Sequence, residues 1–114
     1  MSNLNTERST IATALVTAGV VASLDPSAAV PTVLVGSPSV LGAEGVGGWT
    51  VDFPIQIMAA PPGNAEALEW MLDQVEKVLT VFPGPAFPRT IEHLGKDVPA
   101  YLATVTRSVN NPNC

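Results

Sequence analysis

Between Trp49 and Phe82 the chain sets out a strand, a break and a helix one after another, and this succession constrains the fold more than any other feature. The odd positions Trp49, Val51, Phe53, Ile55 and Ile57 are apolar, while Thr50, Asp52, Pro54, Gln56 and Met58 fall between them. A period of two is the signature of a half-buried strand, because successive side chains leave opposite faces of the pleat. Pro61-Pro62-Gly63 stops that strand, and Asn64 can cap the free amides of a helix beginning at Ala65. Glu66 and Glu69 then lie where the helix dipole favours negative charge. Leu68, Met71, Leu72, Val75, Leu79 and Phe82 keep helical spacing on one face, with Glu66, Glu69, Asp73, Glu76 and Lys77 on the other, and Pro83-Gly84-Pro85 ends the helix.

The remaining segments fill out the same architecture. Ile11, Ala14, Leu15, Ala18 and Ala22 recur at helical spacing within a first helix capped at Asn5 or Thr6, which Gly19 can end. Asp25-Pro26 is a turn, and Thr32–Val35 reads as a short strand. It leads into a loop from Gly36 to Gly48 with five glycines, longer than most connections and therefore of functional interest. Pro83, Pro85 and Pro88 predict an extended, poorly pairing segment, followed by a short strand over 90–94 and a turn at Gly95-Lys96-Asp97. From Pro99 to Val109 the chain alternates again. Tyr101, Ala103, Val105, Arg107 and Val109 share one side, and Leu102, Thr104, Thr106 and Ser108 the other. A tail over 110–114 is expected to fray. The expectation is a single α+β domain over 1–114, in the order α-β-β-α-β-β, with two helices on a small, mainly antiparallel sheet. Strands 32–35 and 49–58 are expected to pair as a hairpin across the glycine loop.

Composition limits what such a domain can do. Ten acids against five bases give a net charge of −5, and from Ser9 to Pro88 Lys77 is the only base. Tight nucleic-acid binding needs clustered Lys and Arg and is not expected. Hydrophobic residues make up 46% and charged residues only 13%, so part of the apolar surface is expected to meet a partner. The only cysteine is Cys114, which leaves no internal disulfide or paired-cysteine zinc site and fits a reducing cytosol. The apolar run Ile11–Leu24 is too short to span a bilayer and is interrupted by Thr and Ser, so neither a membrane anchor nor a secretion leader is expected.

Catalytic or metal chemistry finds little support. His93 is the only histidine, and no second ligand stands at a helical or turn spacing from it. Glu66, Glu69, Asp73 and Glu76 are better read as a solvated helix face than as a carboxylate pair. Gly42, Gly45, Gly47 and Gly48 lack the following Lys-Ser or Lys-Thr and helix of a phosphate loop. Ser37, Ser39 and Ser108 lack a Gly-x-Ser-x-Gly setting. No enzyme activity, cofactor or metal is expected. Trp49 and Trp70 read as core or core-edge residues, with Trp49, beside the glycine loop, the better candidate for an interface anchor.

Over roughly residues 8–110 the chain resembles the tail terminator family of long-tailed, non-contractile bacteriophages. The resemblance rests on the Trp49–Ile57 strand, on Ala60-Pro61-Pro62-Gly63-Asn64-Ala65 leading to Glu69-Trp70-Met71-Leu72, and on Pro99-Ala100-Tyr101-Leu102-Ala103-Thr104-Val105-Thr106-Arg107. It implies a structural virion protein, made in the host cytoplasm and placed at the head-proximal end of the tail. There a ring, usually of six copies, caps the tail tube, ends its growth and offers a surface to the head connector, while genomic DNA passes through without specific binding. A ring needs two different patches on each subunit. The candidates are Val40, Leu41, Glu44, Val46 and Trp49 around the glycine loop and Pro85, Phe87 and Arg89 in the proline-rich segment, with Asp52, Thr104, Thr106 and Ser108 facing the channel. Connector or stopper proteins of the neck have similar size and layout and remain an alternative, as does, from another class, a small secreted binding module released by cleavage within the Ile11–Leu24 region.

Overall fold

The spine of the molecule is the pair formed by the two alternating segments. In the computed structural model, which describes residues 3–43, 48–60 and 65–110, eight elements follow one another. They are α1 (Asn3–Thr17), β1 (Ala22–Ser23), β2 (Thr32–Val35), β3 (Ser39–Ala43), β4 (Gly48–Met58), α2 (Ala65–Val81), β5 (Ala86–His93) and β6 (Lys96–Asn110). β4 and β6 pair antiparallel without a register break from Gly48↔Asn110 to Met58↔Ala100. β5 flanks β6, and β2 flanks the far half of β4, with β1 parallel to it at the edge, so the sheet runs β1-β2-β4-β6-β5. β3 lies on the same side of β4 as β2, paired with its first half from Trp49 to Asp52. The fold is α+β, with a mostly antiparallel sheet of six strands and two helices. The order has two more strands than the alternation alone indicates, and the expected pairing of 32–35 with 49–58 is present as Thr32↔Met58 to Val35↔Ile55.

Both helices cover one face. Val51, Phe53, Ile55 and Ile57 of β4 and Ala103, Val105 and Val109 of β6 form one buried cluster with Ile11, Ala12 and Leu15 of α1 and Met71, Val75 and Val78 of α2. Fully burying a side chain such as Phe53 or Ile55 contributes about 1.5–3 kcal/mol, so this cluster dominates stability. α1 ends in a Schellman turn: Val20 N–H donates to Leu15 O at 2.9 Å and Gly19 N–H to Val16 O at 3.0 Å, with Gly19 at φ 88°. Val20 and Leu15, the residues such a turn brings together, are both buried.

Three expectations need correction. The Gly36–Gly48 segment is not all loop, since Ser39–Ala43 is β3; β4 reaches beyond β2 and offers it a free ladder, with a register shift between Val40 and Gly42. The proline-rich segment pairs fully from Ala86 onward, because Pro88 sits on an edge strand where a missing N–H costs no ladder bond. The turn lies at Leu94-Gly95, both at positive φ (52° and 80°), a two-residue hairpin closed by His93↔Lys96. In addition, α2 is rotated from the expected face: Leu68 and Leu72 are exposed, while Gln74 is buried and its Oε1 accepts from Val21 N–H at 3.2 Å.

Arg8 has a structural role that its sequence setting does not signal. Its Nε donates to Val35 O at 2.9 Å and Gly36 O at 3.3 Å, and Nη2 to Leu24 O at 2.5 Å. One guanidinium thus fastens α1 to the end of β2 and to the start of the connection that precedes it. Among the described residues no helix is long and apolar enough to cross a membrane.

Candidate functional site

The sheet face turned away from the helices changes character along its length. At one end the 24–31 connection folds across it, so that Val30 packs with Leu34, Met58, Val98, Ala100 and Ile91 in a second apolar cluster. His93 Nε2 lies 2.6 Å from Ala28 O and, as the Nε2–H tautomer, donates to it; the lone histidine thus holds this strap and, among the described residues, stands in no group of metal ligands. Toward the other end no helix covers the face, and it becomes polar.

That polar end holds the expected channel-facing residues. Thr104 stands opposite Pro54, Thr106 opposite Asp52 and Ser108 opposite Thr50, all with the parity that points away from the helices. Thr106 Oγ1 donates to Asp52 Oδ1 at 2.5 Å. Asp52, Thr104, Thr106 and Ser108 therefore lie together on one helix-free strip, and Asp52 is its only ionisable side chain. The bases are distributed elsewhere. Arg107 has the opposite parity, 3.5 Å from Glu7 Oε1 and 5.1 Å above the Phe82 ring, and Lys77 is on α2. Arg89 shares the open face but lies on β5 opposite Ala100, four residues from Thr104 along β6.

The interface candidates separate into two groups. Val40 and Leu41 are exposed on β3, at the β4 side of the sheet. Phe87 and Arg89 are exposed on β5 at the opposite edge, and Pro85 is exposed just before it. Trp49 lies between them, half-buried against the main core on the helix side. Glu44 and Val46 fall outside the described residues, as do the Pro61-Pro62-Gly63-Asn64 break and the 111–114 tail.

A feature that the sequence does not reveal is a step in the β5 edge. The β5 ladder stops at Ala86↔Ala103, whereas β6 continues to Asn110, so beyond Ala103 no strand among the described residues flanks β6 on that side. A notch of about 360 Å³ opens there between the Val81–Pro85 turn and residues 104–107. The one signal for it was Pro85, which has no N–H with which to extend the ladder. Among the described residues no three His, Cys, Asp or Glu side chains are grouped to hold a metal. No protein-family model, curated protein or solved structure matches the chain.

Proposed function

We propose that the chain is a non-enzymatic structural protein of a tailed bacteriophage, a tail terminator that assembles as a ring, usually of six copies, on the last ring of tube protein. It ends tube growth and presents a docking surface to the head connector. The observation that carries this reading is the helix-free strip of Asp52, Thr104, Thr106 and Ser108 on the two strands that also carry the family resemblance. A wall of hydroxyl groups with one carboxylate does not hold phosphate by charge, so DNA passes along it without sticking. The exposed candidate patches lie at opposite edges of the sheet, as a head-to-tail ring requires. The functional unit is then the assembly, and the protein works without cofactor or metal.

The test combines native mass spectrometry and electron microscopy of the purified chain with a tube-length assay. Added to polymerising tube subunits, the protein should sit at one end and arrest growth. Unchanged tube lengths, together with selective binding to portal-side proteins, would replace this reading with a neck connector or stopper.

A further inference from the structure

Leu94 is held in a conformation that a leucine disfavours, with most of its side chain bare. Its φ of 52° is in the left-handed region, and its side chain is 62% exposed. Backbone strain kept at an exposed apolar residue points to a contact made outside the chain. Beside it opens a pocket of about 500 Å³, lined by Leu94, Val30, Ala60 and Val98, with His93 and Lys96 completing it. The hairpin sorts its charges by face. Lys96 has the parity of Val98 and Arg89 that of Ile91, so both bases lie on the open face, whereas Glu92 and Asp97 stand opposite each other with the parity of the helix side. Asp25, the acid of the 24–31 strap, accepts from Ser27 N–H at 2.9 Å and so caps its own turn. Neither Arg89 nor Lys96 makes an ion pair among the described residues. In a chain of net charge −5, this end of the open face is apolar and locally basic, and it suits an aliphatic side chain beside carboxylates.

α2 carries that chemistry. Leu68 and Leu72, one turn apart, are 46% and 40% exposed. Lys77 Nζ lies 3.9 Å from the position that a Cβ would take at Gly19, so Lys77 faces the end of α1. Leu68, nine residues earlier and half a turn round the helix, faces away from it, and α1 leaves the leucine flank uncovered. Glu69 and Glu76, three residues before Leu72 and four after it, are its neighbours on the exposed side. These two acids stand about 10 Å apart along the helix. Lys96 and Arg89 stand about 13 Å apart along the strands, a difference that long side chains absorb.

Deepening the ring reading, on which its closure rests, we propose that Leu68 and Leu72 of α2 in one copy dock in the Leu94 pocket of the next, with Glu69 and Glu76 against Lys96 and Arg89. The two surfaces differ and lie on opposite sides of the sheet, the leucine flank on the helix side and the pocket on the open side. Each copy therefore keeps one of them free after binding, and association continues until it closes. Because the leucines lie on a flank of α2 and not on its crest, the two surfaces are not back to back, and successive copies turn instead of stacking in a straight column. The polar strip on β6 begins at Thr104, beyond every β6 residue of the pocket, so the contact and the strip use different parts of the open face.

The test is sedimentation velocity and native mass spectrometry of the full chain over a wide concentration range, in low and high salt. The unaltered chain is expected to self-associate, and less so in high salt. Lys96→Glu with Arg89→Glu, and separately Glu69→Lys with Glu76→Lys, should each weaken association at least about tenfold by setting like charges against each other. An equimolar mixture of the two double variants should recover it, because each contact between them again joins opposite charges. Leu94→Asn should melt no lower than the unaltered chain and yet associate at least about tenfold more weakly, a combination that a purely structural role for Leu94 would not give. A ring that survives both double substitutions overturns this contact and leaves the ring reading in place. Loss in the double variants without recovery in their mixture overturns it as well, and so does a chain that stays monomeric at every concentration, even if it arrests tube growth. Association lost and recovered as stated, in a chain that does not bind tubes, supports the contact and removes the terminator reading.

Discussion

Replacing Arg8 with methionine removes the group that ties α1 to the sheet edge while keeping much of the aliphatic bulk. The guanidinium serves three carbonyl oxygens, two of them sharing Nε, so the loss amounts to two full charge-assisted hydrogen bonds. Such bonds contribute about 1.5–3 kcal/mol each. The site is partly buried, and water can reach some of the released carbonyls, so the expected loss is about 2–4 kcal/mol. Unfolding entropy of about 2.1 cal/mol/K per residue gives about 0.24 kcal/mol/K for 114 residues, so Tm should fall by about 8–17 °C. Arg8→Lys should recover less than half of this, because a single ammonium cannot span Leu24 and Val35 with the same fork. The assay is denaturant and thermal unfolding followed by circular dichroism, with Ser9→Ala on the exposed side of α1 as a control expected to stay within about 0.5 kcal/mol. An Arg8→Met protein as stable as wild type would show that the three contacts contribute nothing net, and that the remaining contacts of α1, chiefly the burial of Ile11, Ala12 and Leu15, suffice to hold it.

Leu94 is a non-glycine residue at φ 52° whose side chain is 62% exposed, so Leu94→Asn should relieve strain without losing burial and raise stability by up to about 1 kcal/mol in urea unfolding. A Cβ at Gly48 would stand 2.6 Å from Val109 O; Gly48→Ala should push β4 and β6 apart there, cost about 1–3 kcal/mol, and speed amide exchange at that end of the ladder. Gln74→Leu strands the Val21 N–H in a part-buried position and should cost about 1–3 kcal/mol by the same unfolding assay, although it adds an apolar residue to a helix. Leu68→Lys and Leu72→Lys, at exposed positions of α2, should each change monomer stability by less than about 0.5 kcal/mol.

The alternating segments were legible because one buried face imposes its period on the sequence. Thr104, Thr106 and Ser108 could be assigned to a common face from parity alone, and Asp52 joins them because β4 and β6 pair without a bulge. β3 was not legible. Ser39–Ala43 has no strict alternation and ends in a glycine-rich stretch, and it becomes a strand because β4 overhangs β2. β5 was hidden by its prolines, which argue against a strand in general but are compatible with an edge. The rotation of α2 is not legible in the sequence because Leu68, Met71, Leu72 and Val75 permit more than one apolar stripe, and the Val21 amide draws Gln74 inward.

The amino-acid order by itself determined the α+β class, the two central strands, the helix between them and which side of each strand is polar, because these follow from local spacing. Only the tertiary structure decided which edges stay open and that the exposed residues of β3 and those around Pro85 lie on opposite sides of one sheet. Those facts depend on strand order and on where each ladder stops, and strand order is set by contacts between residues far apart in the chain.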